Sequence, residues 1–303
     1  MAESNPTGGA SARRVSLGAH LLGYLQVTHP LPSAMYVVGT ALLSLVAATA
    51  THRTLDGGAL ARALIGVGAA QVAVGSFNDY RDRALDAASN RREKPLVRGA
   101  ISPNEVVALG LIASVIVLVA FATLGPLALV LGILIEGLGL AYDFRFKGTP
   151  WSAVLFACYF PLFPLLAWVV FGRWQPFLPW LLPIGAALGI AMNVANTLPD
   201  LDADLSAGMR GLPHLLGLRR GLLVAWATPP LVLLLMLALR LTGIVPAQGL
   251  GLLIAALAGL AVPLACVLLY RAHATPSTLR TTFLLQGFGV IALAGGWIAS
   301  VAF

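Results

Sequence analysis

Residues 78–86 read NDYRDRALD. The stretch closes an apolar run over residues 59–77, and it places three aspartates and two arginines in nine positions. Charge is scarce elsewhere: 10% of the 303 residues are charged, 58% are hydrophobic and the mean hydropathy is +0.88. Soluble domains carry about 25% charge and about 45–50% apolar residues, so this is the composition of a membrane protein. A transmembrane helix needs about 20 predominantly apolar residues. Nine stretches qualify, at roughly 31–50, 59–77, 105–123, 126–142, 151–171, 177–198, 222–240, 249–270 and 283–302. The fold class expected is therefore an all-α integral membrane protein, with nine transmembrane helices bundled around a central cavity and cytoplasmic loops capping one end.

The tail at 1–14 (MAESNPTGGASARR) is polar and reads as disordered rather than as a secretory leader. Residues 15–303 read as one membrane-embedded domain. Its first part, 15–28, is amphipathic enough to lie along the interface. Short connections near Gly125 and at 173–175 predict tight hairpins, and Pro229-Pro230 predicts a kink in the seventh span. With the N-terminus inside, fifteen of the nineteen Lys and Arg residues fall on the cytoplasmic side, which orients the chain N-in and C-out. The formal net charge of +7 then belongs to cytoplasmic loops rather than to a nucleic-acid surface. Cys158 and Cys266 lie in apolar segments and read as core residues, not as a disulfide or thiolate site.

Six of the twelve acids fall in two short segments on that same side. Asn78-x3-Asp82-x3-Asp86 is echoed by Asn196-x3-Asp200-x3-Asp204. Spacing of four puts each set on one helical face, so each motif ends a transmembrane helix. The echo suggests two pseudo-repeated halves, with motifs at 78–99 and 196–217, facing each other across the cavity. Like charges at this spacing repel, and cations between the faces relieve the repulsion. The candidate ligands are oxygens only, which selects a hard cation. Magnesium takes one or two carboxylates and completes its shell with water and phosphate. The flanks carry Arg83, Arg91, Arg92, Lys94, Arg98, Arg145, Lys147, Arg210, His214, Arg219 and Arg220, groups suited to phosphate. Together these point to a diphosphate whose departure is assisted by metal and cations.

These residues resemble the UbiA superfamily of intramembrane prenyltransferases. NDYRDRALD followed by KPLVRG (94–99) resembles its first signature, NTLPDLDADLSAG (196–208) its second, and YDFRFKGTP (142–150) the stretch after its fourth helix. The resemblance spans nearly the whole chain beyond residue 20. It implies magnesium-dependent transfer of an isoprenyl group from a polyprenyl diphosphate to an acceptor, aromatic or lipid, within the membrane. By position it implies Asn78, Asp82 and Asp86 as one magnesium set and Asn196, Asp200 and Asp204 as the other, with Asp82, Asp86, Asp200 and Asp204 carrying catalysis. Arg83 and Lys147 resemble diphosphate contacts, joined by Lys94, Arg98 and Arg145. Asp79 is expected to position the helix and Asp202 to face solvent or cap.

Some residues stay open at this point. Tyr142, Trp151, Phe156, Tyr159 and Phe160 are candidate walls for an allylic cation or simple packing residues. Glu136, a costly carboxyl inside the fourth span, is an acceptor contact or a protonated, paired group. His29, before the proline that opens the first span, departs from the arginine common there in the family. It is either an interface histidine or a catalyst. Two other activities share features with the main reading. A terpene cyclase would ionise the same donor without an acceptor. A divalent-cation transporter would use the aspartates as transport ligands, but wants them near the bilayer midplane rather than at helix ends.

Overall fold

The computed structural model describes residues 16–245 and 247–302, all of them helix, turn or loop. The tail expected at 1–14 lies outside the described residues. Among the described residues, nine stretches are long and apolar enough to cross a membrane. The elements in order are α1 (Leu17–Val27), α2 (Pro30–Ala50), α3 (Gly57–Ala88), α4 (Pro103–Ala122), α5 (Pro126–Ala141), α6 (Ser152–Tyr159) and α7 (Leu162–Phe171). Then come α8 (Leu181–Thr197), α9 (Leu201–Ser206), α10 (Leu212–Leu241), α11 (Gly249–Ala272) and α12 (Pro276–Ala302). A multi-pass integral membrane protein follows, because every backbone polar group in lipid must be satisfied within its own segment.

Helix α3 explains why charge follows the apolar run at 59–77. Asp56 caps its start by accepting from the Gly58 and Ala59 amides at 2.8 and 3.1 Å. The helix then continues for 32 residues without a break, well past the apolar run, so Asn78, Asp82 and Asp86 ride on its last turns. Helices α4 and α5 form the expected hairpin over Thr123–Gly125, where Gly125 takes φ +115°, a conformation open to glycine. The second motif is built differently. Helix α8 ends at Thr197, a tight turn over Leu198–Asp200 follows, and α9 begins at Leu201. Pro199 lies in that turn, and Asp200 departs from helical dihedrals with φ −110° and ψ 11°, so the second set is not on one continuous helix. Helix α10 carries the proline pair and a break of its own. Helical dihedrals persist through Pro229 and Pro230, and the break falls at Gly217, with φ +68°. The pyrrolidine pair is accommodated in the span, while the glycine alone reaches a left-handed φ.

Close packing positions the second wall against the rest. A Cβ at Gly189 would lie 2.3 Å from the Phe156 carbonyl oxygen, so the α6 and α8 backbones touch there, as small residues permit between helices in lipid. The bundle's main core gathers Trp168, Phe177, Leu188, Met236, Leu293 and Trp297. Outward-facing Leu111, Ile112, Val115 and Val119 on α4, and many like them elsewhere, leave a broad apolar exterior, which in this chain is the lipid-facing belt.

Candidate active site

The helices enclose a cavity of about 980 Å³. Asn78, Asp82, Asp86, Asn196, Asp200 and Asp204 all line it, as do Lys94 and Lys147. The two aspartate motifs, more than a hundred positions apart, therefore share one mouth. The i,i+4 spacing achieves this on α3. On the other wall the turn at Leu198–Asp200 shifts the register, yet Asn196, Asp200 and Asp204 still reach the same space.

Each carboxylate already has a positive or polar partner. Lys147 pairs with Asp82. Burial works against the Lys147 ammonium, but Asp82, Tyr142 and Asp143 beside it outweigh burial and hold its pKa above the ordinary lysine value, so it stays charged at neutral pH. Arg91 bridges the walls, with Nη1 3.4 Å from Asp86 and Nη2 3.4 Å from Asp200. Arg280, from the first turns of α12, donates to Asp200 at 2.9 Å. On α9, Asp204 lies 3.4 Å from His214 Nε2. The Gly211 amide donates to His214 Nδ1 at 2.9 Å, so Nδ1 is the acceptor nitrogen and Nε2 carries the proton toward Asp204.

A wide π-type turn at Tyr142–Phe146 follows α5, a feature common near functional sites. It brings Tyr142 and Asp143 to the cavity wall, with Lys147 just beyond. Asn78 Nδ2 donates to Asp143 Oδ1 at 2.7 Å, while the buried Asp143 Oδ2 has no partner. That orphan oxygen and the oxygen-only donors of both walls fit a hard divalent cation. Among the described residues, no three His, Cys, Asp or Glu side chains converge closely enough to cage an ion alone.

Other expected residues fall elsewhere. Arg83 is exposed, stacks 4.1 Å over the Tyr80 ring and donates to the Tyr80 carbonyl at 2.6 Å. It adjoins Asp82 in sequence, and consecutive helical residues diverge by about 100°. Arg98 is exposed and donates to Gln26 and to the Glu93 carbonyl. Arg145 points outward from the π-type turn. None of these three lines the cavity. Asp202 is exposed. Asp79 is almost fully buried (3% exposed) and holds Lys94 Nζ at 2.7 Å and His29 Nε2 at 3.2 Å. Glu136 is buried off the cavity wall and accepts from Ser114 on α4.

Below the mouth the cavity turns apolar and aromatic. Tyr142, Phe156, Tyr159 and Phe160 line it, whereas Trp151 is 62% exposed and does not. Tyr36 and Phe163, which sequence reasoning missed, complete the wall; their ring centroids are 4.9 Å apart. Gln71 Nε2 donates to the Tyr159 hydroxyl at 2.8 Å, the main polar contact within this region. Exposed Val38, Leu42 and Leu45 on α2 and Phe288 on α12 also border the cavity, giving it an apolar flank on the exterior.

Comparisons with known proteins bear on the family and the fold. The model of the UbiA prenyltransferase family matches residues 37–285. Digeranylgeranylglyceryl phosphate synthase of Methanopyrus kandleri is 30% identical over 195 residues, 63% of this chain and 68% of that protein. 4-Hydroxybenzoate octaprenyltransferase of Vibrio atlanticus is 27% identical over 143 residues, 46% of this chain and 50% of that protein. Over these curated relatives the matched region thus spans between half and about two thirds of their length. The solved structure of a UbiA homologue from Archaeoglobus fulgidus, bound to GPP and Mg2+, superposes with a TM-score of 0.67 at 18% identity. That match covers 89% of this chain and 99% of the other, and the likeness is one of fold.

Proposed function

Because this chain belongs to the UbiA prenyltransferase family, we propose that it transfers an isoprenyl group from a polyprenyl diphosphate to an aromatic or lipid acceptor inside the membrane. One observation carries this reading: a single cavity joins a mouth of opposed carboxylates and cations to an aromatic, apolar chamber. A diphosphate needs the first and a prenyl tail the second.

Asn78, Asp82 and Asp86 on one wall, with Asn196, Asp200 and Asp204 on the other, would hold Mg2+. When bound, the metal neutralises charge developing on the departing diphosphate. Lys147, Lys94 and Arg91 contact the diphosphate oxygens from the wall. Arg83, Arg98 and Arg145 add to the positive field around the rim without touching it. As the C1–O bond breaks, Tyr36, Tyr142, Phe156, Tyr159, Phe160 and Phe163 keep water from the allylic cation and face it with π-electron density. The acceptor then bonds to C1. The excess of basic residues on the mouth side supports an N-terminus in the cytoplasm and a C-terminus outside. The domain is taken as one unit over 15–303, its two halves each contributing one aspartate wall.

The test is to incubate purified protein with Mg2+ and a prenyl diphosphate, with and without acceptor, following diphosphate release and product by mass spectrometry. Adduct formation that disappears in Asp82→Ala and Asp200→Ala is expected. Cyclic hydrocarbon released with no acceptor present would replace the transferase with a cyclase. Metal flux without diphosphate release would replace it with a transporter.

A further inference from the structure

Among the described residues, His29 is the one histidine lining the cavity, and the ionisation step leaves it unused. It sits at the junction of α1 and α2, just before Pro30, and lines the cavity. Its backbone is left-handed, with φ 46° and ψ 63°. A residue with a Cβ pays for that conformation, and the surroundings enforce it. The His29 amide donates to the Gln26 carbonyl at 3.1 Å, closing α1, while Pro30 starts α2. Gly75 on α3 makes room for the junction. A Cβ there would lie 2.9 Å from His29 Cδ2 and 2.9 Å from the Val27 carbonyl oxygen.

One turn beyond Gly75 on the same face of α3 is Asp79. Its Oδ1 accepts from Lys94 at 2.7 Å and faces His29 Nε2 at 3.2 Å. An ionised carboxylate can only accept, so Nε2 is the donor toward Asp79 and Nδ1 is the ring nitrogen that this pair leaves uncommitted. Among the described residues Nδ1 has no hydrogen-bond partner. Asp79 therefore ties together two cavity groups with opposite needs. Lys94 presents a cation on the diphosphate side, and His29 presents the ring nitrogen that Asp79 does not hold. This carboxylate–imidazole pairing is the general arrangement by which a histidine accepts a proton from a reacting group and its carboxylate stabilises the imidazolium that forms.

We propose that His29 is the base that receives the acceptor's proton, held and oriented for that role by Asp79. The proposal rests on the prenyl-transfer reading. The C1–O bond to diphosphate breaks and its electron pair leaves with the diphosphate. An oxygen or ring carbon of the acceptor bonds to C1, and the proton it carried passes to His29 Nδ1. The imidazolium then sits beside Asp79 and returns its proton to water at the mouth, where the His29 side chain is 37% exposed. The acceptor class this implies is one with an O–H or an aromatic C–H to give up.

The experiment separates ionisation from capture. Purified wild type, His29→Gln and His29→Ala are given Mg2+, geranylgeranyl diphosphate, and 4-hydroxybenzoate or geranylgeranylglyceryl phosphate as probe acceptors. Diphosphate, prenylated acceptor and free prenol are measured together. In His29→Gln, diphosphate release should stay within about threefold of wild type while adduct falls by about 10²-fold or more, the scale of general-base catalysis. The missing prenyl groups should appear as prenol. Added imidazole should restore adduct in His29→Ala, an outcome that a purely structural histidine would not give. Release and adduct falling together, neither falling, or no rescue by imidazole would overturn the assignment while leaving the transferase standing. A wild type that releases no diphosphate, or releases it without prenylating either acceptor, overturns both.

Discussion

The two walls of the mouth carry the same Asn-x3-Asp-x3-Asp spacing and are built in different ways. The first is the unbroken end of α3, with Asp86 almost fully buried and Asp82 paired to Lys147 just after the π-type turn. The second is broken at Pro199, and its Asp200 and Asp204 are held by side chains from other elements: Arg280 on α12, Arg91 after α3, and His214 on α10. A rigid helix can aim three side chains by its own periodicity. A turn cannot, so outside partners must do the aiming. The first wall is thus organised locally and the second by tertiary contacts. Arg91, which touches both, is the strap between them.

The largest effects should come from removing the carboxylates themselves. Asp82→Ala and Asp200→Ala should each lower diphosphate release by about 10²–10³-fold or more, the cost of losing one group that stabilises developing charge. Chelation of divalent metal should match this loss in wild type, and Mg2+ should restore it. A wall whose alanine variant kept near-normal release would show that one motif alone suffices.

The next test sets the positioning partners of the second wall against the self-aimed first. His214→Ala leaves Asp204 without its buried orienting partner. The Mg2+ concentration for half-maximal release should rise about 10–100-fold, as when an outer-shell partner of a metal ligand is lost. An unchanged metal dependence would mean that α9 aims Asp204 unaided. Arg91→Gln should slow release about tenfold by removing both strap and phosphate contact. Its melting temperature should fall as well, because the almost fully buried Asp86 loses its arginine partner.

The smallest effects sharpen the contrast. Pro199→Ala offers the second wall a chance to become continuous helix. Release should change by less than about threefold if Arg280 and His214 hold Asp200 and Asp204 in place, and stability should shift by about 1 kcal/mol or less. Arg83→Ala removes an arginine that stacks on Tyr80 outside the cavity, and release should stay within about twofold of wild type. A loss as large as the tenfold expected of Arg91→Gln would put Arg83 on the diphosphate after all.

What could be read in advance follows the range of the interactions. Asn78, Asp82 and Asp86 were legible because a helix turns a spacing of four into a face, and Lys147 because it sits within a motif beside the mouth. Arg280 and Asp200 are eighty positions apart, and Arg91 and Asp200 are 109 apart. No local pattern marks such pairs. Asp143 carried a faint signal, an acid inside YDFRFKGTP, yet its bond to Asn78 appears only when α3 and the π-type turn meet. Tyr36 and Phe163 looked like any aromatic in an apolar span. Conversely, Arg83, Arg98 and Arg145 were plausible phosphate ligands by proximity in sequence, but side-chain direction on a helix or turn sends neighbours to different sides.

The sequence by itself determined the membrane environment, the nine apolar spans, the single charged end and the oxygen-only chemistry of the two motifs. Each of these depends on composition or on periodicity within one helix. Tertiary structure alone decided that the motifs share one cavity, which cations reach it, how the break at Pro199 is compensated, and that His29 meets Asp79 across Gly75. Those depend on which surfaces pack together, and packing joins residues that the chain keeps far apart.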